Sequence, residues 1–248
     1  MDFCRLLRDE RRRAREATAR THTPIVESKT TEKVAPVKEP RINSVHHDPL
    51  LRVWNQRSVQ PIDLETFRRG PIRGVYYIPD WITPDEEDAI LERVYTIPDD
   101  SESWVQLKHR RLQMWGGEVK SPFESTPLPQ WLTQICQTLV GVGIFGEEKT
   151  PNHALINEYR VGDCILPHED GPAYFPLVAI LSTGADCRVT FEPHRAASWS
   201  HSTQHSTFQL QRRSLLVFTA EAYSRYLHSI DNVEMGTRVS LTLRHVDL

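Results

Sequence analysis

The sequence predicts an α+β fold with a jelly-roll core. Two amphipathic helical stretches come first, and a long run of short β-rich segments follows, separated by Gly, Pro, Asp and Ser. The 248 residues suit one elaborated domain with an N-terminal tail, since a domain takes roughly 100 to 200 residues.

Residues 1–73 form a leader of different composition. Residues 1–20 carry seven arginines against four acids, and residues 21–61 are rich in Thr, Lys, Pro and Glu with little to bury, so the leader is expected to be largely disordered. The folded domain is expected over residues 74–248. It opens on a strand at Val75-Tyr76-Tyr77-Ile78, stopped by Pro79 and Asp80. Thr83-Pro84-Asp85-Glu86 then supplies an N-cap, a proline at the first helical position and acids in the first turn, ahead of Ala89, Ile90, Leu91 and Val94. Trp131 to Val140 reads as a second helix stopped by Gly141. Strands are expected at His153–Tyr159, Leu177–Leu181, Arg188–Phe191, Thr207–Leu210, Ser214–Phe218 and Arg238–Val246. Residues 194–206, dominated by Ser, Thr and His, read as a flexible insertion.

Composition excludes several classes. The net charge of -3 provides no global positive field for nucleic acid, so any such binding must come from a local patch. No apolar run approaches the roughly 18 residues of a membrane span, and no apolar stretch of the secretory kind follows Met1. Cys4, Cys136, Cys164 and Cys187 are scattered without CxxC spacing. These features predict a monomeric intracellular protein, nuclear or cytoplasmic, with reduced thiols and no membrane partner.

Histidine followed two places later by aspartate can chelate a metal from one strand face. The pattern occurs three times, so context must choose. His46 and Asp48 lie in the polar leader, where nothing fixes their rotamers, and His245 and Asp247 lie in the last four residues. His168 and Asp170 instead sit between the strand ending at Tyr159 and the Gly171-Pro172 turn. His228, near the end of a later β-rich segment, supplies a third ligand. Two histidines and one carboxylate leave open coordination positions, as in non-haem Fe(II) oxygenases, although zinc hydrolases use the same set. On a strand at residues 238–244, Arg238, Ser240, Thr242 and Arg244 share one face while Val239, Leu241 and Leu243 share the other. A guanidinium on that polar face is suited to bidentate capture of a carboxylate. A co-substrate held by Arg238 at one end and chelated to iron at the other is what a 2-oxoglutarate oxygenase needs.

Asn157-x-Tyr159, Gly162, Pro167-His168-x-Asp170, His228 and the Arg238-to-Arg244 spacing together resemble the AlkB-type Fe(II)/2-oxoglutarate dioxygenases over about residues 74–246. Three stretches point to one branch of that family: His168-Glu169-Asp170-Gly171-Pro172-x-Tyr174-x-Pro176, Arg213 to Val217, and Gly236 to Thr242. The resemblance implies a double-stranded β-helix core, with iron held by His168, Asp170 and His228. It implies that Arg238 pairs with the distal carboxylate of 2-oxoglutarate, and that Asn157, Tyr159, Ser240 and Arg244 contact the same molecule. It further implies O2 as second co-substrate and oxidative demethylation of N-alkylated RNA or DNA. Residues 99–120 match the family's nucleotide-recognition lid, where Trp104, Arg111, Gln113 and Trp115 are the substrate-binding candidates. With the basic leader, this lid is the expected nucleic-acid contact. The family's DNA-repair members carry an acidic residue two positions after the metal-binding aspartate. This chain has Pro172 there, so base recognition of that kind is not implied. The competing readings are a protein side-chain hydroxylase or demethylase with the same chemistry, and a non-catalytic module that binds modified RNA.

Overall fold

Alternation along the strands sorts the apolar residues into two layers, because neighbouring side chains point to opposite faces of a sheet. The computed structural model of the protein describes residues 9, 10, 12, 49–194 and 204–247. Its strands are β1 (Val75–Ile78), β2 (Val105–Gln106), β3 (Arg111–Trp115), β4 (His153–Tyr159), β5 (Ile165–His168), β6 (Leu177–Thr183), β7 (Cys187–Pro193), β8 (Ser206–Leu210), β9 (Leu215–Thr219), β10 (Tyr226–Ile230) and β11 (Arg238–Arg244). The helices are α1 (Pro49–Trp54), α2 (Pro84–Val94), α3 (Gln130–Gly141) and α4 (Ala220–Ser224). Seven strands form one sheet in the order β1-β9-β6-β11-β4-β3-β2, and four form the other in the order β5-β10-β7-β8. Every pairing is antiparallel. These two stacked sheets are the expected jelly roll.

One apolar cluster joins the helices to the large sheet. Ile90 and Val94 of α2 and Leu132, Ile135 and Leu139 of α3 meet Ile156 of β4 and Val239, Leu241 and Leu243 of β11. Leu155, Val178, Ile180, Val189 and Phe191 fill a second cluster between the sheets. Helix α2 starts where its sequence signal lies: Thr83 Oγ1 accepts from Glu86 N, and the Glu86 carboxylate accepts from Thr83 N, a reciprocal capping box.

Three expectations differ from the structure. Residues 49–73 belong to the folded body rather than to a leader, because Leu50, Leu51 and Trp54 of α1 enter the helix-side cluster and Trp54 Nε1 donates to Thr138 Oγ1 at 2.8 Å. Glu10 is also buried, against Arg110. The segment expected as a lid contributes strands β2 and β3 to the large sheet, with β3 paired to β4 from Arg111↔Glu158 to Trp115↔Ala154. Residues 165–168, where no strand was expected, form β5. Of the expected insertion, residues 195–203 lie outside the described residues, and Ser206 already begins β8. His46 and Arg11 to Arg13, apart from Arg12, also lie outside them.

Candidate active site

Strand register brings the two predicted imidazoles together. His228 on β10 is the direct partner of His168 on β5, which puts their ring centroids 4.2 Å apart. The register slips between His228 and Ile230, a bulge beside the site of the kind that re-aims a side chain. His168 Nδ1 lies 2.8 Å from the Leu166 carbonyl oxygen. A carbonyl can only accept, so Nδ1 carries the proton and Nε2 carries the ring's lone pair. Burial pushes the His168 pKa well below its ordinary value, and the charge of His228 pushes the same way. His228 is also lowered, by burial and by Arg244, with Asp170 opposing. Both rings are therefore neutral near pH 7, the form that binds a metal.

Asp170 follows β5 and is 3% exposed. Its Oδ1 accepts from Arg244 Nη1, while Oδ2 has no hydrogen-bond partner and lies 3.7 Å from His228 Nε2. No three His, Cys, Asp or Glu side chains among the described residues stand as a preformed metal cluster. Even so, the 3.7 Å gap is within the ~4 Å that two ligands of one metal ion can span. A buried carboxylate oxygen without a proton donor, beside two neutral imidazoles, has the donor chemistry of a metal site, so the residues present fit Fe(II). The turn after Asp170 is held by Tyr223 of α4, which donates to the Gly171 carbonyl at 2.6 Å.

The four residues on the polar face of β11, Arg238, Ser240, Thr242 and Arg244, all line one cavity with His168, Asp170, His228, Asn157 and Tyr159. Arg238 is 0% exposed. It donates through Nη2 to Ser182 Oγ at 3.0 Å and lies over the Tyr159 ring at 5.2 Å, while Nε and Nη1 are buried without hydrogen-bond partners. No acidic side chain among the described residues pairs with it. A buried guanidinium with two unused donors facing a cavity calls for an anion.

Other placements differ from expectation. Arg244 is held against Asp170 and lies over the Tyr174 ring at 4.1 Å, so its observed partner is a metal-ligand candidate rather than open cavity. The four lid candidates are not among the cavity's lining residues. Arg111 is clamped onto Glu158 by two 2.8 Å bonds, bonds Asp99, and stacks over Trp104 at 4.1 Å. Gln113 donates to the Val94 carbonyl and accepts from Trp115 Nε1, and both indoles are buried. Apolar area and satisfied hydrogen bonds draw them inward. Lys149 and Thr150 engage Asp247 and His245, which accounts for the third histidine–aspartate pair. The sequence reading missed Ser182 and Arg110: no local pattern shows that Ser182 lies opposite Ser240, or that Arg110 reaches Asn157.

A seven- and four-stranded jelly roll enclosing two histidines, an aspartate and an unbalanced arginine defines an oxygenase of the iron and 2-oxoglutarate type. The family model for the 2OG-Fe(II) oxygenase superfamily matches residues 103–244. The chain belongs to that family and is a dioxygenase of the AlkB type, using Fe(II), 2-oxoglutarate and O2. It is 37% identical over 218 residues to a zebrafish (Danio rerio) protein called probable RNA/DNA demethylase ALKBH6, covering 75% of this chain and 91% of that one. It is 26% identical over 208 residues to an Arabidopsis thaliana protein called alkylated DNA repair protein ALKBH8 homolog, covering 71% of this chain and 59% of that one. Among solved structures, OsALKBH1 superposes with a TM-score of 0.54 at 12% identity, covering 71% of this chain and 100% of that one, a likeness of fold.

Proposed function

We propose that this chain removes N-linked alkyl groups from nucleic acid by oxidation. The observation that carries the co-substrate half of this reading is Arg238, buried with two donors unused at the cavity wall. In the proposed site, Nε2 of His168, Nε2 of His228 and Oδ2 of Asp170 hold Fe(II), and Arg244 fixes the other Asp170 oxygen. Arg238 clamps the distal carboxylate of 2-oxoglutarate, with Asn157, Tyr159 and Ser240 around it. Bound iron supplies the redox chemistry, in which O2 and 2-oxoglutarate yield succinate, CO2 and one hydroxylated C–H bond of the prime substrate. On an N-methyl group the resulting hydroxymethyl leaves as formaldehyde.

The nucleic-acid half is supported by the likeness to the zebrafish protein called probable RNA/DNA demethylase ALKBH6, 91% of whose length this chain covers. Burial of Trp104 and Trp115 moves the expected base-stacking role away from those indoles. The test is succinate release with N-methylated single-stranded RNA, the same DNA sequence, and methylated peptides. Stimulation by RNA or DNA with stoichiometric formaldehyde is expected. Stimulation by peptides alone would overturn the nucleic-acid reading in favour of a protein substrate. Arg238→Lys should raise the Michaelis constant for 2-oxoglutarate by roughly 10- to 100-fold, because lysine cannot reproduce a two-donor fork and charge-assisted bonds are worth about 1.5–3 kcal/mol.

A further inference from the structure

Arg110 stands immediately before β3, with a side chain 0% exposed. Its two ends have different partners. Nε donates to Oδ1 of Asn157 at 3.0 Å, and Nη1 donates to Oε1 of Glu10 at 3.1 Å and lies 2.9 Å from Oε2. Glu10 comes from 100 residues away in the chain, has helical backbone, and is itself 7% exposed. A link thus runs from the N-terminal stretch through a buried cation to the wall of the cavity.

The chemistry of that link is directional. A guanidinium only donates, so Arg110 commits the carbonyl oxygen of the Asn157 amide to itself. Asn157 also lines the cavity and faces Ser240 in register. Only the NH2 side of its amide can then be offered to an occupant, and an NH2 donates to a carboxylate or keto oxygen. Arg110 can stay in this place only if its charge is balanced, because a buried cation that loses its counter-ion relaxes toward water. The balancing charge is Glu10.

We infer that Glu10 and Arg110 are a positioning pair for the co-substrate: Glu10 holds Arg110 against Asn157, which fixes the amide orientation that receives 2-oxoglutarate. The inference rests on assigning the cavity to 2-oxoglutarate and extends that assignment to residues outside the cavity. It makes residues 10 and 110 part of a site whose cavity is otherwise lined by residues between 155 and 244.

The test is calorimetric titration of 2-oxoglutarate into the full-length, Mn(II)-loaded protein, alongside Michaelis constants for the iron enzyme. Glu10→Gln is expected to weaken 2-oxoglutarate binding about 5- to 20-fold. Manganese affinity, and turnover at saturating 2-oxoglutarate, should stay within about two-fold. Arg110→Lys keeps the charge but lacks the Nε donor, so it should show a similar loss even if Glu10→Gln folds poorly, and the double variant should be no weaker than Arg110→Lys. Arg12→Gln, which alters a nearby but exposed residue whose ion-pair partner is Asp9, serves as the control and should bind as the wild type does. Unchanged 2-oxoglutarate affinity in Glu10→Gln, or equal loss of metal and co-substrate, would overturn the inference. If Arg238→Lys also leaves 2-oxoglutarate affinity unchanged, the cavity assignment itself has failed and both fall together.

Discussion

Asp170 turns its two carboxylate oxygens to different neighbours, and this decides what its removal does. Oδ1 is taken by Arg244, a side chain 1% exposed, and Oδ2 faces His228. Asp170→Ala should therefore abolish turnover and also destabilise the metal-free protein by roughly 3–5 kcal/mol, because it takes the carboxylate away from a buried guanidinium. Asp170→Asn keeps an acceptor for Arg244 and should lose turnover with a smaller stability loss. Urea unfolding of the two metal-free variants checks this, and an Asp170→Ala protein as stable as the wild type would show that other contacts hold Arg244. The metal-ligand candidates were legible because the histidine–aspartate spacing is local. The role of Arg244 was not. Strand alternation puts it on the same face as Arg238, and both line the cavity, but alternation cannot show that Arg244 Nη1 donates to Asp170 Oδ1.

Among the elements, legibility follows the length and cleanness of the pattern. The β4 bounds and the polar face of β11 were read correctly because seven consecutive residues in each alternate toward defined layers. Helix α1 is six residues long, too short to show a helical period beyond Leu50, Leu51 and Trp54. Strand β5 contains Pro167, which reads as a breaker and is tolerated because β5 lies at the sheet's edge. Between β6 and β7 the chain turns at Gly184, whose φ is +78° and where an added Cβ would lie 2.3 Å from the Thr237 carbonyl oxygen. Thr237 directly precedes Arg238, so this close approach sets where β11 begins. Gly184→Ala should lower stability by about 1–3 kcal/mol. It should also raise the Michaelis constant for 2-oxoglutarate, because the strand start that carries Arg238 must move. A stability loss with an unchanged Michaelis constant would mean the strain is absorbed within the turn.

At the scale of the whole molecule, ligands that bind only the folded state must stabilise it, and the three-part site makes that stabilisation separable. In the proposed site, metal held by His168, Asp170 and His228 would link β5 to β10 within the small sheet, and 2-oxoglutarate would link that metal to Arg238 on the large sheet. Each ligand at 100 times its dissociation constant adds about 2.7 kcal/mol. With roughly 2–4 °C per kcal/mol for a chain of this size, each addition raises Tm by about 5–10 °C. Wild-type protein should therefore show one increment with Mn(II) and a second when 2-oxoglutarate is added. Arg238→Lys, at the same concentrations, should keep the first and lose most of the second, and His228→Ala should lose both. Differential scanning calorimetry reads all three. An intact second increment in Arg238→Lys would place the anion seat elsewhere in the cavity, and a first increment surviving in His228→Ala would remove that imidazole from the metal site.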